Sequence, residues 1–123
     1  MIGYVTLGTN DLPRAVAYYD ELMAMFDAGR FMEEDTFVAW AESMEKPGVA
    51  ITKPFDGNAA TVGNGVMVGL QAKDQTMVKA VYAKALELGG TDEGEPGPRG
   101  ESGFYAAYFR DLDGNKLNVF CMG

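Results

Sequence analysis

The chain contains no histidine, so the side chain most often used for general base work and for holding divalent metals is missing throughout. Its single cysteine, Cys121, sits in the apolar run Val119-Phe120-Cys121-Met122. That setting predicts a buried thiol with no disulfide and with no imidazole or helix N-terminus to activate it. Glu33-Glu34-Asp35 supplies adjacent carboxylates of the kind acid-base chemistry uses, but such a charge run is expected first at a solvated strand end or turn. Neither a Gly-x-Ser-x-Gly elbow nor a phosphate-cradling glycine loop ahead of a helix occurs. No catalytic residue is assigned from these side chains.

The elements that would position the remaining polar groups belong to one modest domain. At 123 residues, 47% hydrophobic and 23% charged, the composition is ordinary for a globular chain. With 18 acidic against 10 basic residues the net charge is -8, and the cations are scattered. Nucleic acid and anionic membranes are therefore poor partners. No apolar run approaches the roughly 20 residues that span a bilayer, and Met1-Ile2-Gly3-Tyr4-Val5-Thr6 lacks the features of a leader. A cytoplasmic location is expected.

Alternation from Ile2 to Thr9 predicts a half-buried strand with Val5 and Leu7 on one face and Tyr4 and Thr6 on the other. Asn10 and Asp11 offer helix N-caps, Pro13 suits a first turn, and Leu12, Ala15, Val16, Tyr19, Leu22, Met23 and Phe26 form a helical stripe stopped by Gly29. The stripe reads as core packing. Shorter strands are expected at Thr36 to Glu42 and Val49 to Pro54, separated by Glu45-Lys46-Pro47-Gly48, and Phe55 to Gly65 reads as a connection. The pattern then restarts with a strand at Val66 to Ala72, a cap at Asp74, and a second stripe through Val78, Val81, Ala85 and Leu88 to Gly89-Gly90.

A shift of 63 residues lays Tyr4 on Met67, Leu7 on Leu70, Asp11 on Asp74 and Tyr19 on Tyr82. This marks an internal duplication, with modules at 1-62 and 63-123. Glu93 to Gly103 reads as a polar loop. Phe104 to Asp111, the turn Asp111-Leu112-Asp113-Gly114 and Asn115 to Met122 predict a β-hairpin. A three-residue loop would pair Asp111 with Asn115, hence Tyr108 with Asn118 and Ala106 with Phe120.

Tyr4 through Leu12 running into a helix with Ala17-Tyr18-Tyr19, then Gly63-Asn64-Gly65, then Phe104 through Lys116, resemble the vicinal oxygen chelate superfamily. That family holds glyoxalases, bleomycin resistance proteins and extradiol dioxygenases. The resemblance implies an α+β fold of two βαβββ modules, a curled mixed sheet around a cleft, and helices outside. Leu112 stands where the family's Asp-Pro-Asp-Gly turn has proline. The family's four metal-ligand positions fall on Tyr4, near Ala50 with Thr52 as the next inward residue, Met67 and Asn118. A phenol, a thioether and a carboxamide supply neither the charge nor the basic nitrogen that a divalent ion needs. Neither a metal nor another cofactor is expected.

In such a fold Tyr4 and Thr6 would face the cleft with Met67, Gly69 and Gln71 from the repeat. Tyr108, Asn118, Ala106 and Phe120 would join them from the hairpin. Small Ala50, Gly69 and Ala106 leave space, and Arg99 and Arg110 are the nearest candidates for an anionic ligand group. The resemblance therefore implies a protein that binds a small organic molecule, aromatic or antibiotic-like, without a protein-bound metal, and that pairs as a homodimer. Two alternatives stand beside it. One is a divergent glyoxalase-type lyase or isomerase, similar to lactoylglutathione lyase, using Tyr4 or Tyr108 or a metal held elsewhere. The other is a dimerising interaction protein whose cleft is filled by its own side chains.

Overall fold

Each half of the chain opens on a short strand, turns through a capped helix, and closes with three more strands. The computed structural model describes residues 1–123 as two compact units, Met1–Val62 and Gly63–Gly123. The first contains β1 (Tyr4–Gly8), α1 (Leu12–Ala24), β2 (Gly29–Glu33), β3 (Phe37–Ala41) and β4 (Gly48–Thr52). Its sheet runs β1-β4-β3-β2, with β1 parallel to β4 and the other neighbours antiparallel. The second contains β5 (Val68–Gln71), α2 (Gln75–Glu87), β6 (Thr91–Pro98), β7 (Phe104–Arg110) and β8 (Lys116–Met122), in the order β5-β8-β7-β6. This is the α+β, twice-βαβββ architecture, with two four-stranded mixed sheets. No helix is long and apolar enough to cross a membrane.

Period-2 alternation sends one set of side chains from each sheet under its helix. In the first unit α1 lays Leu12, Ala15, Tyr19, Leu22 and Met23 on a layer that includes Leu7, Val38, Trp40 and Ile51, all buried. In the second, Val78, Val81 and Ala85 of α2 cover Leu70, Phe109, Leu117 and Val119, with Cys121 buried beside them at 2% exposure. Asp11 caps α1 by accepting from the Arg14 amide at 3.2 Å, and Asp74 caps α2 by accepting from the Met77 amide at 2.8 Å.

Four details of the sequence reading are corrected. Asn10 is not a cap: its carboxamide exchanges hydrogen bonds with both the amide and the carbonyl of Ala60, at 2.7 and 3.1 Å. Gly29 does not stop α1, which ends at Ala24; Asp27 takes the left-handed turn (φ 57°) and Gly29 opens β2. That strand escapes period-2 reading because a bulge between Arg30 and Met32 breaks its alternation. The polar stretch Glu93 to Gly103 is mostly strand, since β6 tolerates Pro96 and its glycines as an edge strand with two register shifts. The strand expected at Val66 to Ala72 is shorter, Val68–Gln71.

One polar cluster ties α1 to its sheet. Asp20 Oδ1 accepts from the Trp40 indole and from Arg30 Nε, each at 2.9 Å, and Oδ2 accepts from Arg30 Nη2 at 2.5 Å. The hydrogen bonds from Arg30, helped by that from Trp40, hold the Asp20 carboxyl below its ordinary value. A carboxyl lowered in the folded state adds stability above its unfolded value near 3.8 and loses it as pH falls through the folded value. Asp20→Asn should therefore flatten the acid limb of a stability profile below about pH 4. Asp20→Ala should cost about 1–3 kcal/mol at neutral pH, because it leaves the buried Trp40 N–H without an acceptor. Urea titrations of both variants at pH 3 and pH 7 check these outcomes.

Candidate functional site

The face of each sheet turned away from its helix carries the side chains left for chemistry. In the second unit register assigns them in rows. Gly69, Asn118, Tyr108 and Gly94 lie side by side across β5, β8, β7 and β6. The neighbouring row holds Gln71, Phe120, Ala106 and Gly97, and on the other side Lys116 opposes Arg110. The hairpin pairs Asp111 with Asn115, Tyr108 with Asn118 and Ala106 with Phe120, as the three-residue loop required.

Asn118 is the chemically unresolved residue of this face. It is 3% exposed, and its Oδ1 is buried without a hydrogen-bond partner. Such an acceptor costs about 1–3 kcal/mol relative to a paired one. It leans toward Gly69: a Cβ built there would stand 2.9 Å from Oδ1 and 3.4 Å from the Phe120 ring. The carboxamide therefore occupies space that only glycine leaves open.

Aromatic and cationic groups surround it. Phe104 and Phe120 stack with centroids 5.4 Å apart. The Tyr108 ring meets the Arg99 guanidinium at 5.4 Å and the Lys116 ammonium at 5.6 Å. Arg99 follows β6 and is committed to backbone, since Nη1 donates to Gly97 O at 2.8 Å and Nη2 to Glu95 O at 2.7 Å. These bonds fill carbonyl valences that the irregular edge strand leaves open.

The first unit presents a different face. Thr6, Ala50, Ala39 and Met32 form one row across β1, β4, β3 and β2. Tyr4 and Phe37, from the rows on either side, meet edge to face at 6.3 Å. Ala39 and Ala50 are both at 0% exposure in that setting. A Cβ on Gly48 would come within 3.0 Å of the Phe31 ring. The alanines are buried at the centre of this face, while Tyr4, Thr6 and Met32 are exposed on it.

The residues at the family's ligand positions do not fit a divalent metal. Tyr4 offers a phenol, Ala50 a methyl group, Met67 a thioether just ahead of β5, and Asn118 a carboxamide. The Thr52 hydroxyl is engaged locally, donating toward Thr36 O at 3.0 Å and Lys53 O at 2.8 Å. No group of three or more His, Cys, Asp or Glu side chains is placed to share an ion. The donors lack the charge and basicity that offset dehydration of a divalent cation.

Of the residues singled out from sequence, Tyr4, Thr6, Ala50 and Thr52 share the first sheet's helix-free face, and Gly69, Gln71, Tyr108, Asn118 and Phe120 share the second's. Arg99 joins the latter over Tyr108, while Met67 precedes its strand and is 43% exposed. Arg110 is paired with Glu93 at 2.8 Å. Lys116 and Phe104 were missed. Both follow from alternation: Lys116 lies two residues before Asn118, and Phe104 two before Ala106.

The family model for the Glyoxalase/Bleomycin resistance protein/Dioxygenase superfamily matches residues 1–119. The crystal structure of a glyoxalase/bleomycin resistance protein from Albidiferax ferrireducens T118 is 31% identical, with 100% of this chain and 99% of that chain covered and a TM-score of 0.90. A lactoylglutathione lyase from Agrobacterium tumefaciens shares the fold at 20% identity, 98% and 92% coverage and a TM-score of 0.70. A glyoxalase/bleomycin resistance protein/dioxygenase family enzyme from Burkholderia phytofirmans PsJN does so at 14% identity, 98% coverage of each chain and a TM-score of 0.76. No curated protein sequence matches the chain.

The unpaired oxygen makes a stability prediction. Asn118→Leu replaces a buried acceptor without a partner by an apolar side chain of similar volume, so it should stabilise the free protein by about 1 kcal/mol or more. Gly69→Ala should destabilise it through the contact with Asn118 Oδ1. Urea midpoints of the two variants, moving in opposite directions, check the assignment.

Proposed function

Because the chain belongs to the Glyoxalase/Bleomycin resistance protein/Dioxygenase superfamily, we propose that it binds a small planar organic molecule on the helix-free face of its second sheet. In this reading the family's ligand positions hold no metal. The observation that carries it is the buried, unpaired Oδ1 of Asn118 between Gly69 and the Tyr108 ring. A hydrogen-bond donor from a ligand would complete that acceptor, and the Tyr108 ring and the Phe104–Phe120 stack supply flat apolar surface beside it. No step of bond making is derived, since no side chain of this face is paired with a base or held near a second reacting group.

The test combines two measurements on the purified chain. A thermal-shift screen against planar aromatic compounds bearing N–H or O–H groups should return stabilising hits. A ligand at a hundred times its Kd adds about 2.7 kcal/mol to the folded state. Those hits should weaken with Asn118→Leu, even though that variant is itself more stable. Metal analysis of the same preparation should find no stoichiometric nickel, zinc, iron or manganese. A stoichiometric metal lost on Tyr4→Phe or Asn118→Leu would overturn the metal-free reading and favour a lyase or isomerase with an atypical ligand set.

A further inference from the structure

Two cations on the Tyr108 ring, Arg99 and Lys116, lack an ion pair, and of the two only Lys116 also donates no hydrogen bond. Lys116 and Arg110 are direct cross-strand partners in the β7–β8 pair, an arrangement in which like charges repel. The Arg110 charge is answered: Nε donates to Glu93 Oε1 at 2.8 Å and Nη1 to Gly114 O at 2.9 Å. Arg99 is answered by backbone carbonyls. Lys116 is only partly exposed, yet its ammonium enters no ion pair and donates no hydrogen bond; it rests against the Tyr108 ring. In a chain of net charge -8, acidic partners are plentiful elsewhere. The unanswered cation is two residues from the unanswered acceptor, on the same face of β8.

We propose that this face takes a planar organic acid, its carboxylate set by Lys116 and its hydroxyl or amino donor received by Asn118 Oδ1. The inference rests on the reading above that the face binds a small organic molecule, and narrows the ligand to one charge state and one polarity. Two residues of strand separate the anchors by about 6.6 Å at roughly 3.3 Å per residue. Groups at opposite ends of one aromatic ring bridge such a span, with the Tyr108 ring alongside. With the hydrogen-bond donors of Arg99 and Arg110 already engaged, the one free set of donors, on the Lys116 ammonium, suits a single carboxylate. Lys116 thereby sets specificity, while the charge of Arg110 across the strand pair is met by Glu93.

Calorimetric titration with three probes tests this: 4-hydroxybenzoate, its neutral analogue 4-hydroxybenzamide, and benzoate, which lacks the donor. The wild-type chain should bind 4-hydroxybenzoate at least about fivefold more tightly than either analogue, with the preference over the amide shrinking as salt is added. Lys116→Met keeps the alkyl stem over Tyr108 and should abolish the preference for the acid over the amide. Lys116→Gln serves the same purpose if the methionine variant folds poorly. Asn118→Leu should remove the preference for 4-hydroxybenzoate over benzoate. Equal affinity for acid and amide, or a preference that survives both Lys116 variants, would overturn the anion assignment while leaving small-molecule binding standing. Failure of all three probes also overturns it, and the thermal-shift screen with uncharged aromatic compounds then decides whether the broader reading falls as well.

Discussion

The second unit depends on how the Asp111 carboxylate grips the turn between β7 and β8. At 5% exposure, its Oδ1 accepts from the amides of Asp113 and Asn115, each at 2.9 Å, and its Oδ2 accepts from Asn115 Nδ2 at 2.9 Å. Gly114, at φ 89°, supplies the left-handed residue that returns the chain. These contacts fix a three-residue loop and so fix the register. A slip of one residue would exchange the two faces of a strand, carrying Leu117 and Val119 out of the core and Lys116 and Asn118 into it. Leu112 also has a use: its Cδ2 lies 3.0 Å from where a Cβ would stand on Gly89, just past α2, which sets the turn beside the end of the helix.

The two units show how far one scaffold diverges without changing its hydrogen-bonded frame. Both place a capped helix over one face of a four-stranded sheet, and both leave the other face to be specified by a few side chains. In the first unit those positions went to Phe31, Phe37 and Tyr4 around a row of alanines, with Tyr4 58% exposed. In the second they went to Asn118, Tyr108 and Lys116 flanked by Gly69 and Gly94. Glycine at both ends of the row keeps the surface low, and crowding sets in at once if it is replaced: Cβ atoms there would meet Asn118 Oδ1 at 2.9 Å and Tyr108 Cδ1 at 3.1 Å. The duplicated frame is therefore common property, while the side chains of the helix-free faces differ between the modules.

Much of this was legible in the chain because it is local. The Asp-Leu-Asp-Gly-Asn turn, the alternation on either side of it, the caps at Asp11 and Asp74 and the helical stripes all act within a few residues. The two strands that went unread are those whose form is imposed from outside. β2 carries a bulge and is tied by Arg30 to Asp20 and Glu33. β6 is written in turn residues and becomes a strand because β7 offers an edge and Arg99 satisfies its carbonyls. The faces of Tyr4, Thr6, Asn118 and Tyr108 could be read from alternation. The importance of Lys116 could not, because its lack of a partner is visible only once Glu93, 17 residues from Arg110 in sequence, is seen to answer that neighbour instead.

Two unfavourable terms converge on one patch of β8. A site that had only lost its metal and closed over would be free to accumulate apolar side chains, since a buried polar group without a partner is destabilising and its replacement by a packed hydrophobe is not. At Asn118 an unpaired buried oxygen remains, 2.9 Å from where a Cβ at position 69 would stand. Beside it Lys116 opposes Arg110 and has no counter-charge, although an anionic side chain on either neighbouring strand would have supplied one. Each feature alone is a small irregularity of packing. Together they describe an acceptor without a donor and a cation without an anion, two residues apart on one face, and a single molecule carrying both complements would relieve them at once.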